Sequence, residues 1–347
     1  MKEKSCNIKK TSIGGQALIE GVMMRGPQKT AMTVRNPEGE LVVEEWENQV
    51  SKRPKLFKLP FIRGVFNFID SMTFGYKCLM RSAEIAGLDD EAEKKPADAK
   101  CEKSEEATVE TVTVEEGADQ VAAGNKTEDK KTSATMTVIM IISAVLAVAL
   151  AIGLFIVLPT ALSKLLANHV GAFDNQFVRS AFEGVLRVLI LVGYLSAVSL
   201  MKDIRRTYQY HGAEHKTIFC YESGLALTVE NVRKQRRFHP RCGTSFLILM
   251  VLVGILISML IPTRIGDWEM PVYVRSLIKL CLLPLVMGVG YELIKLAGKY
   301  DNAFTRIISA PGVWLQRLTV LEPTDDMIEC AIESMKRVIP EDGSDRW

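Results

Sequence analysis

Residues 136–159 read MTVIMIISAVLAVALAIGLFIVLP, a block without a single charge. About 18 or more apolar residues in a row is the length needed to cross a bilayer. The stretch therefore predicts a transmembrane helix and sets the fold class. Three further blocks extend the reading. Phe182–Met201 carries Glu183 and Arg187 near its start, Phe246–Pro262 is short and uncharged, and Ser276–Ala297 carries Lys279 and Glu292. About four spans are expected. Arg179, Glu183 and Arg187 stand four apart and can pair along one helix face. Ionisable groups at membrane depth normally face an interior or a cavity.

The loops set the orientation. The connection 202–245 holds Lys202, Arg205, Arg206, Lys216, Arg233, Lys234, Arg236, Arg237 and Arg241, whereas the connections after the first and third spans carry few basic residues. Lys and Arg collect on the cytoplasmic side. Both termini and the 202–245 loop are expected in the cytosol, and the run Arg233–Arg237 is expected to attract anionic headgroups.

Composition agrees. Of 347 residues 48% are hydrophobic but only 7% aromatic, and the net charge of +2 is too small to suggest a nucleic-acid partner. The seven cysteines form no C-x-x-C pair, so a disulfide framework is not expected. Met1–Lys10 has no apolar segment of the kind a signal peptide needs.

Around the spans, four parts are expected. Residues 1–83 read as a cytosolic N-terminal α/β module. In it Thr30–Arg35 and Leu41–Glu47 flank the turn Asn36-Pro37-Glu38-Gly39, a β-hairpin signal, and Leu56–Met80 reads as an amphipathic helix suited to the membrane interface. Residues 84–134, acidic and poor in large apolar side chains, read as a disordered linker. Residues 135–298 form the transmembrane domain. Residues 299–347 form a cytosolic tail with an amphipathic helix over Thr324–Val338.

The chemistry concentrates in the 202–245 loop. His211, Glu214 and His215 form H-x-x-E-H, and positions i, i+3 and i+4 share one helix face. Two imidazoles at that spacing can grip one divalent metal, zinc above all, with the carboxylate as general base. A third protein ligand is needed, with Glu222, Glu230, His239 and Cys242 as candidates. If His239 and Cys242 both ligate, coordination closes and the site is structural. Arg241, beside Cys242, and Arg25, in Gly14–Pro27, are candidates for stabilising developing negative charge. That glycine-rich segment reads either as a rigid loop carrying Glu20 and Arg25 or as turns between strands with Met23 and Met24 inward. Glu292 lies toward the same side as the histidines and is a candidate partner.

Several of these segments also resemble one family. Gly14–Pro27, Leu59–Gly64, Tyr210–Thr217, His239–Phe246 and Gly312–Thr319 resemble the YqhQ-like family of bacterial membrane proteins, whose function is unknown and which is described as a predicted metal-dependent enzyme. The resemblance implies a membrane location and a metal, and it supplies no substrate.

The expectation is thus an α-helical polytopic membrane protein with a small cytosolic α/β module, multi-pass in a bacterial cytoplasmic membrane. The leading function is a zinc hydrolase at the cytosolic face, acting on a peptide, lipid or small amide. A membrane scaffold or transporter accessory with a structural metal is the alternative, and a metal-free carrier the third. The lipid bilayer is the expected partner, and a homo-oligomer is left open.

Overall fold

A computed structural model describes residues 10–48, 59–87, 142–240, 242–300 and 302–345. The linker expected over 84–134 lies outside the described residues from residue 88 on, and its first residues belong to a helix. The described chain is mostly helical, with a four-stranded antiparallel sheet near its N-terminus.

The strands run in sequence order: β1 (Gly14–Leu18), β2 (Gly21–Arg25), β3 (Lys29–Arg35) and β4 (Leu41–Glu47). The β3–β4 hairpin forms where the turn signal predicts it. The glycine-rich stretch is a second hairpin, in which Glu20 takes a positive φ of 51°. Non-glycine residues rarely adopt that backbone. Here the Glu20 carboxylate accepts from Arg206 and from the Tyr210 hydroxyl, at 3.2 Å from the latter.

Side chains alternate between the faces of a strand, and both faces of this sheet are covered. Val22, Met24 and Ala31 pack with Met327, Ile328, Ala331 and Met335 of α10 (Asp325–Val338). Leu18, Met23, Met32 and Val34 pack with Cys78 and Phe74 of α1 (Ile62–Ile85). The C-terminal helix is therefore not a tail. Its apolar stripe is part of the module's core, pinned by the Ser334 hydroxyl, 2.8 Å from both the Val22 carbonyl and Thr33 Oγ1.

The rest is helical: α2 (Ile142–Ala167), α3 (Gln176–Val198), α4 (Lys202–Glu222), α5 (Val229–Arg233), α6 (Gly243–Met259), α7 (Val272–Cys281), α8 (Leu283–Lys299) and α9 (Ala303–Thr319). A two-residue pair, β5 (Arg264–Ile265) and β6 (Trp268–Glu269), precedes α7. The expectation of about four spans is met in part. Among the described residues only α2, with 26 residues, and α3, with 23, are long and apolar enough to cross a membrane. The count rises to three if α7 and α8, bent by 44° at Leu282, form one broken span. Helix α6 is apolar but has only 17 residues, and it packs among α3, α8 and α9.

Charges in these helices find specific partners. Arg187 reaches Glu183 at 3.4 Å, whereas Arg179 turns to Glu269 at 3.2 Å. Glu292 is held by both arms of Arg63 at 2.7 and 2.6 Å and does not join the histidines. The basic run stays on the surface yet finds protein partners: Arg233 pairs with Asp325, Arg237 with Glu322 at 3.1 Å, and Arg236 stacks 4.3 Å from the Phe219 ring centre.

Candidate metal centre

Helix α4 presents His211, Glu214 and His215 on one face, and Cys242 meets them from the N-cap of α6. His211 Nε2 lies 3.0 Å from Cys242 Sγ. One ligand atom each from His211, His215 and Cys242 lie within 4.8 Å of one another. The imidazoles are 4.5 Å apart, centre to centre.

Each imidazole is oriented from behind. His211 Nδ1 sits 3.0 Å from the Thr319 carbonyl and His215 Nδ1 sits 2.5 Å from the Arg237 carbonyl. A carbonyl accepts, so both rings carry their proton on Nδ1 and keep Nε2 for the centre. Metal-ligating histidines are commonly fixed in this way. Two nitrogens and one sulfur form a donor set suited to zinc and poorly suited to magnesium or calcium.

Electrostatics follow from burial and proximity. Burial alone would raise the Cys242 thiol, but His211 and His215 outweigh it and hold the group well below 9.0. Burial would lower the His211 imidazole, and Cys242 more than offsets this, raising it to about 9. The metal-free pair is thus a thiolate beside an imidazolium. Burial also holds the Glu214 carboxyl above its ordinary range, against the pull of His215 and His211.

A reactivity contrast follows. Burial raises Cys78 to about 11 and Cys330 to about 12, and the thiolate is the nucleophile. In chelator-treated protein near pH 8, iodoacetamide should modify Cys242 well ahead of Cys78 and Cys330. Peptide mapping that finds Cys242 no faster than those two would contradict the ion pair.

A cavity of about 440 Å³ opens over the centre, lined by Gly15, His211, Glu214, His215, His239 and Cys242 among others. Glu214 makes no ion pair with Lys216 or Arg206, which are engaged by Glu322 and Glu20. Instead it accepts from the Gly15 backbone N–H. A Cβ at Gly15 would stand 2.8 Å from Glu214 Cγ, so the strand can lie against the carboxylate only as glycine.

The other sequence candidates are placed elsewhere. His239 faces Glu222, Nε2 to Oε2 at 3.8 Å, and its ring is 5.6 Å from that of His215. Gln316 holds the His239 backbone, with Oε1 accepting from its N–H at 2.8 Å and Nε2 donating to its carbonyl at 2.6 Å. Glu222 accepts from the Thr11 N–H at 3.0 Å. Glu230 lies on the first turn of α5. Cys242, and neither His239 nor Glu222, closes on the two imidazoles. Arg25 lies over Phe74, 5.6 Å from the ring centre, in a neighbouring cavity that shares Gly14 and Gly15 with this one. Arg241 lies outside the described residues. Gly15, Gln316 and the Thr319 and Arg237 carbonyls escaped sequence reasoning. Of these, Gly15 lay in a segment that sequence reasoning singled out, Gly14–Pro27, and that reading put Glu20 and Arg25, not Glu214, beside it.

The family model described as protein of unknown function (DUF1385) matches residues 59–341. The uncharacterized protein YqhQ of Bacillus subtilis (strain 168) is 33% identical over 331 residues, covering 94% of this chain and 92% of that protein. No solved structure gives a significant match.

Proposed function

We propose that the chain, which belongs to the DUF1385 family of proteins of unknown function, is a metal-dependent hydrolase at the cytosolic face of a bacterial membrane. The observation that carries this reading is the convergence of His211, His215 and Cys242 within 4.8 Å beneath a cavity that Glu214 also lines.

The donor count favours catalysis over a closed structural site. A structural zinc site uses four protein ligands, and a catalytic one keeps a position open. Three donors converge, while His239 is engaged with Glu222 and Gln316. His211, His215 and Cys242 would hold the ion, which when bound supplies Lewis acidity toward a substrate oxygen. Glu214 accepts and returns a proton within the cavity, and burial, by raising its carboxyl pKa, makes it a stronger base than an ordinary carboxylate. The Gly15 N–H keeps the carboxylate aimed. An ester or amide of a lipid or membrane peptide fits a hydrolytic site carried by α4, the helix that follows α3 in the chain.

Helices α2 and α3 would anchor the protein as a multi-pass chain. The exposed Phe61, Ile69, Met72 and Tyr76 of α1 would lie in the interface. The basic content of residues 202–240 supports a cytosolic position for the site.

Element analysis of detergent-purified protein, expressed in metal-replete medium, tests the reading. Wild type and Glu214→Gln should each carry about one zinc per chain, and His211→Ala should carry none. On a panel of lipid amides, lipid esters and membrane peptides, wild type should turn over a member, and Glu214→Gln should lose about 10²- to 10⁴-fold of that rate. Wild type free of transition metal, or Glu214→Gln with undiminished turnover, would overturn the proposal.

A further inference from the structure

A second cluster of buried charge lies at the other end of the helical region. Glu183 is fully buried in α3 and faces three cations. Its Oε1 accepts from Ser163 at 2.8 Å and Arg275 at 3.1 Å, and its Oε2 from Lys279 at 2.5 Å and Arg187 at 3.4 Å. Among the described residues no second carboxylate pairs with these cations. Arg179, close by, is taken by Glu269. Three buried cations against one carboxylate leave an excess of positive charge, which is costly in apolar surroundings without a counter-ion.

The donors are also incompletely paired. Arg275 is only 2% exposed, yet its Nε and Nη2 have no hydrogen-bond partner, and the buried Ser258 hydroxyl has none either. Unsatisfied buried polar atoms call for an explanation. Beside Arg187, Lys279 and Ser258, though not lined by Arg275 or Glu183, runs a cavity of about 330 Å³ with apolar walls that include Phe155, Leu191, Gly254 and Val286. Its polar lining is Arg187, Lys279 and Ser258. An apolar slot with a few convergent polar groups is the usual form of a small-molecule site. The slot shares no lining residue with the cavity over the metal centre, and its Ser258 end lies about 24 Å along α6 from Cys242 at 1.5 Å per residue.

We propose that this slot binds a single-chain anionic amphiphile, with an acyl chain against the apolar walls and a carboxylate or phosphate head meeting Arg187, Lys279 and the unpartnered Ser258 hydroxyl. Arginine and lysine pair strongly with such heads, and the chain accounts for an apolar channel leading to buried cations.

A diazirine-bearing fatty acid in phosphatidylcholine nanodiscs tests this on the full chain, with adducts located by peptide mass spectrometry. Adducts should concentrate on α6 and α8 residues that line the slot. Oleate should suppress them at a concentration at least tenfold below that needed for methyl oleate. Inorganic phosphate should not suppress them. Lys279→Met should weaken labelling at least tenfold. Gly254→Leu adds bulk to the slot and removes no charge, and its Cβ meets only Val286 Cγ1 at 3.9 Å. It should also lose labelling while melting at the wild-type temperature. Equal competition by acid and ester, or undiminished labelling in correctly folded Gly254→Leu, would overturn the proposal. Competition by phosphate as strong as by oleate would replace the amphiphile with a free-anion site.

Discussion

Replacing Cys242 with serine should cost more than about 100-fold in zinc affinity while leaving the fold intact. The size follows from ranking the contacts. Loss of a group that merely orients a ligand typically costs 10- to 100-fold, so loss of one of three ligands should exceed that range. The sulfur is also the only soft donor of the three, and it carries the negative charge that stabilises a divalent ion between two neutral imidazoles. Serine rather than alanine makes the test clean. Cys242 is the N-cap of α6, where its Sγ accepts from the Thr244 N–H at 3.4 Å. Alanine would remove a cap worth about 1 kcal/mol, whereas a serine hydroxyl keeps it. Competition titration with a zinc chelator gives the affinity. Cobalt substitution adds a second reading, because the thiolate-to-cobalt charge-transfer band should vanish in the variant. A serine variant that binds zinc as tightly as wild type would remove Cys242 from the centre.

The face carrying His211, Glu214 and His215 was legible because a helix repeats every 3.6 residues whatever surrounds it. Which residue completes the set was not. Glu222, Glu230, His239 and Cys242 were all candidates, and the choice depends on Gln316, 77 positions from His239, holding that backbone in place. The β3–β4 hairpin was legible from its turn. The β1–β2 hairpin was one of two readings of its segment, turns between strands with Met23 and Met24 inward; what left the choice open is that Val22, Met23 and Met24 are all buried, so no alternation of polar and apolar residues marks a strand. The apolar face of α10 was visible, but periodicity tells which face is buried and not what covers it. Hydropathy likewise could not separate α2 and α3 from α6, which is as apolar but only 17 residues long.

Gly212→Ala separates local propensity from tertiary packing. In an isolated helix the change should stabilise by about 1 kcal/mol, so sequence reasoning alone predicts a gain. The structure predicts a loss. A Cβ at Gly212 would collide with the Leu321 carbonyl oxygen and stand 3.2 Å from Pro323 Cδ. Backbone cannot rotate aside as a side chain does, and the Leu321 N–H is tied to the Tyr208 carbonyl at 2.9 Å. Overpacking costs about 1–3 kcal/mol, and a collision with tethered backbone belongs at or above the top of that range. The net effect should be a loss of about 2 kcal/mol, read as a fall of about 5 °C in melting temperature. Gly193→Ala in α3, where nothing lies within 4 Å of the new Cβ, is the matched control and should be neutral or stabilising. The same displacement reaches the metal centre. Pushing residues 319–323 away from α4 withdraws the Thr319 carbonyl from His211 Nδ1, so zinc affinity should fall about 10- to 100-fold, the range for losing an orienting partner. A Gly212→Ala protein that melts at or above wild type and binds zinc normally would show that the 319–323 segment does not lie against the helix that carries the histidines.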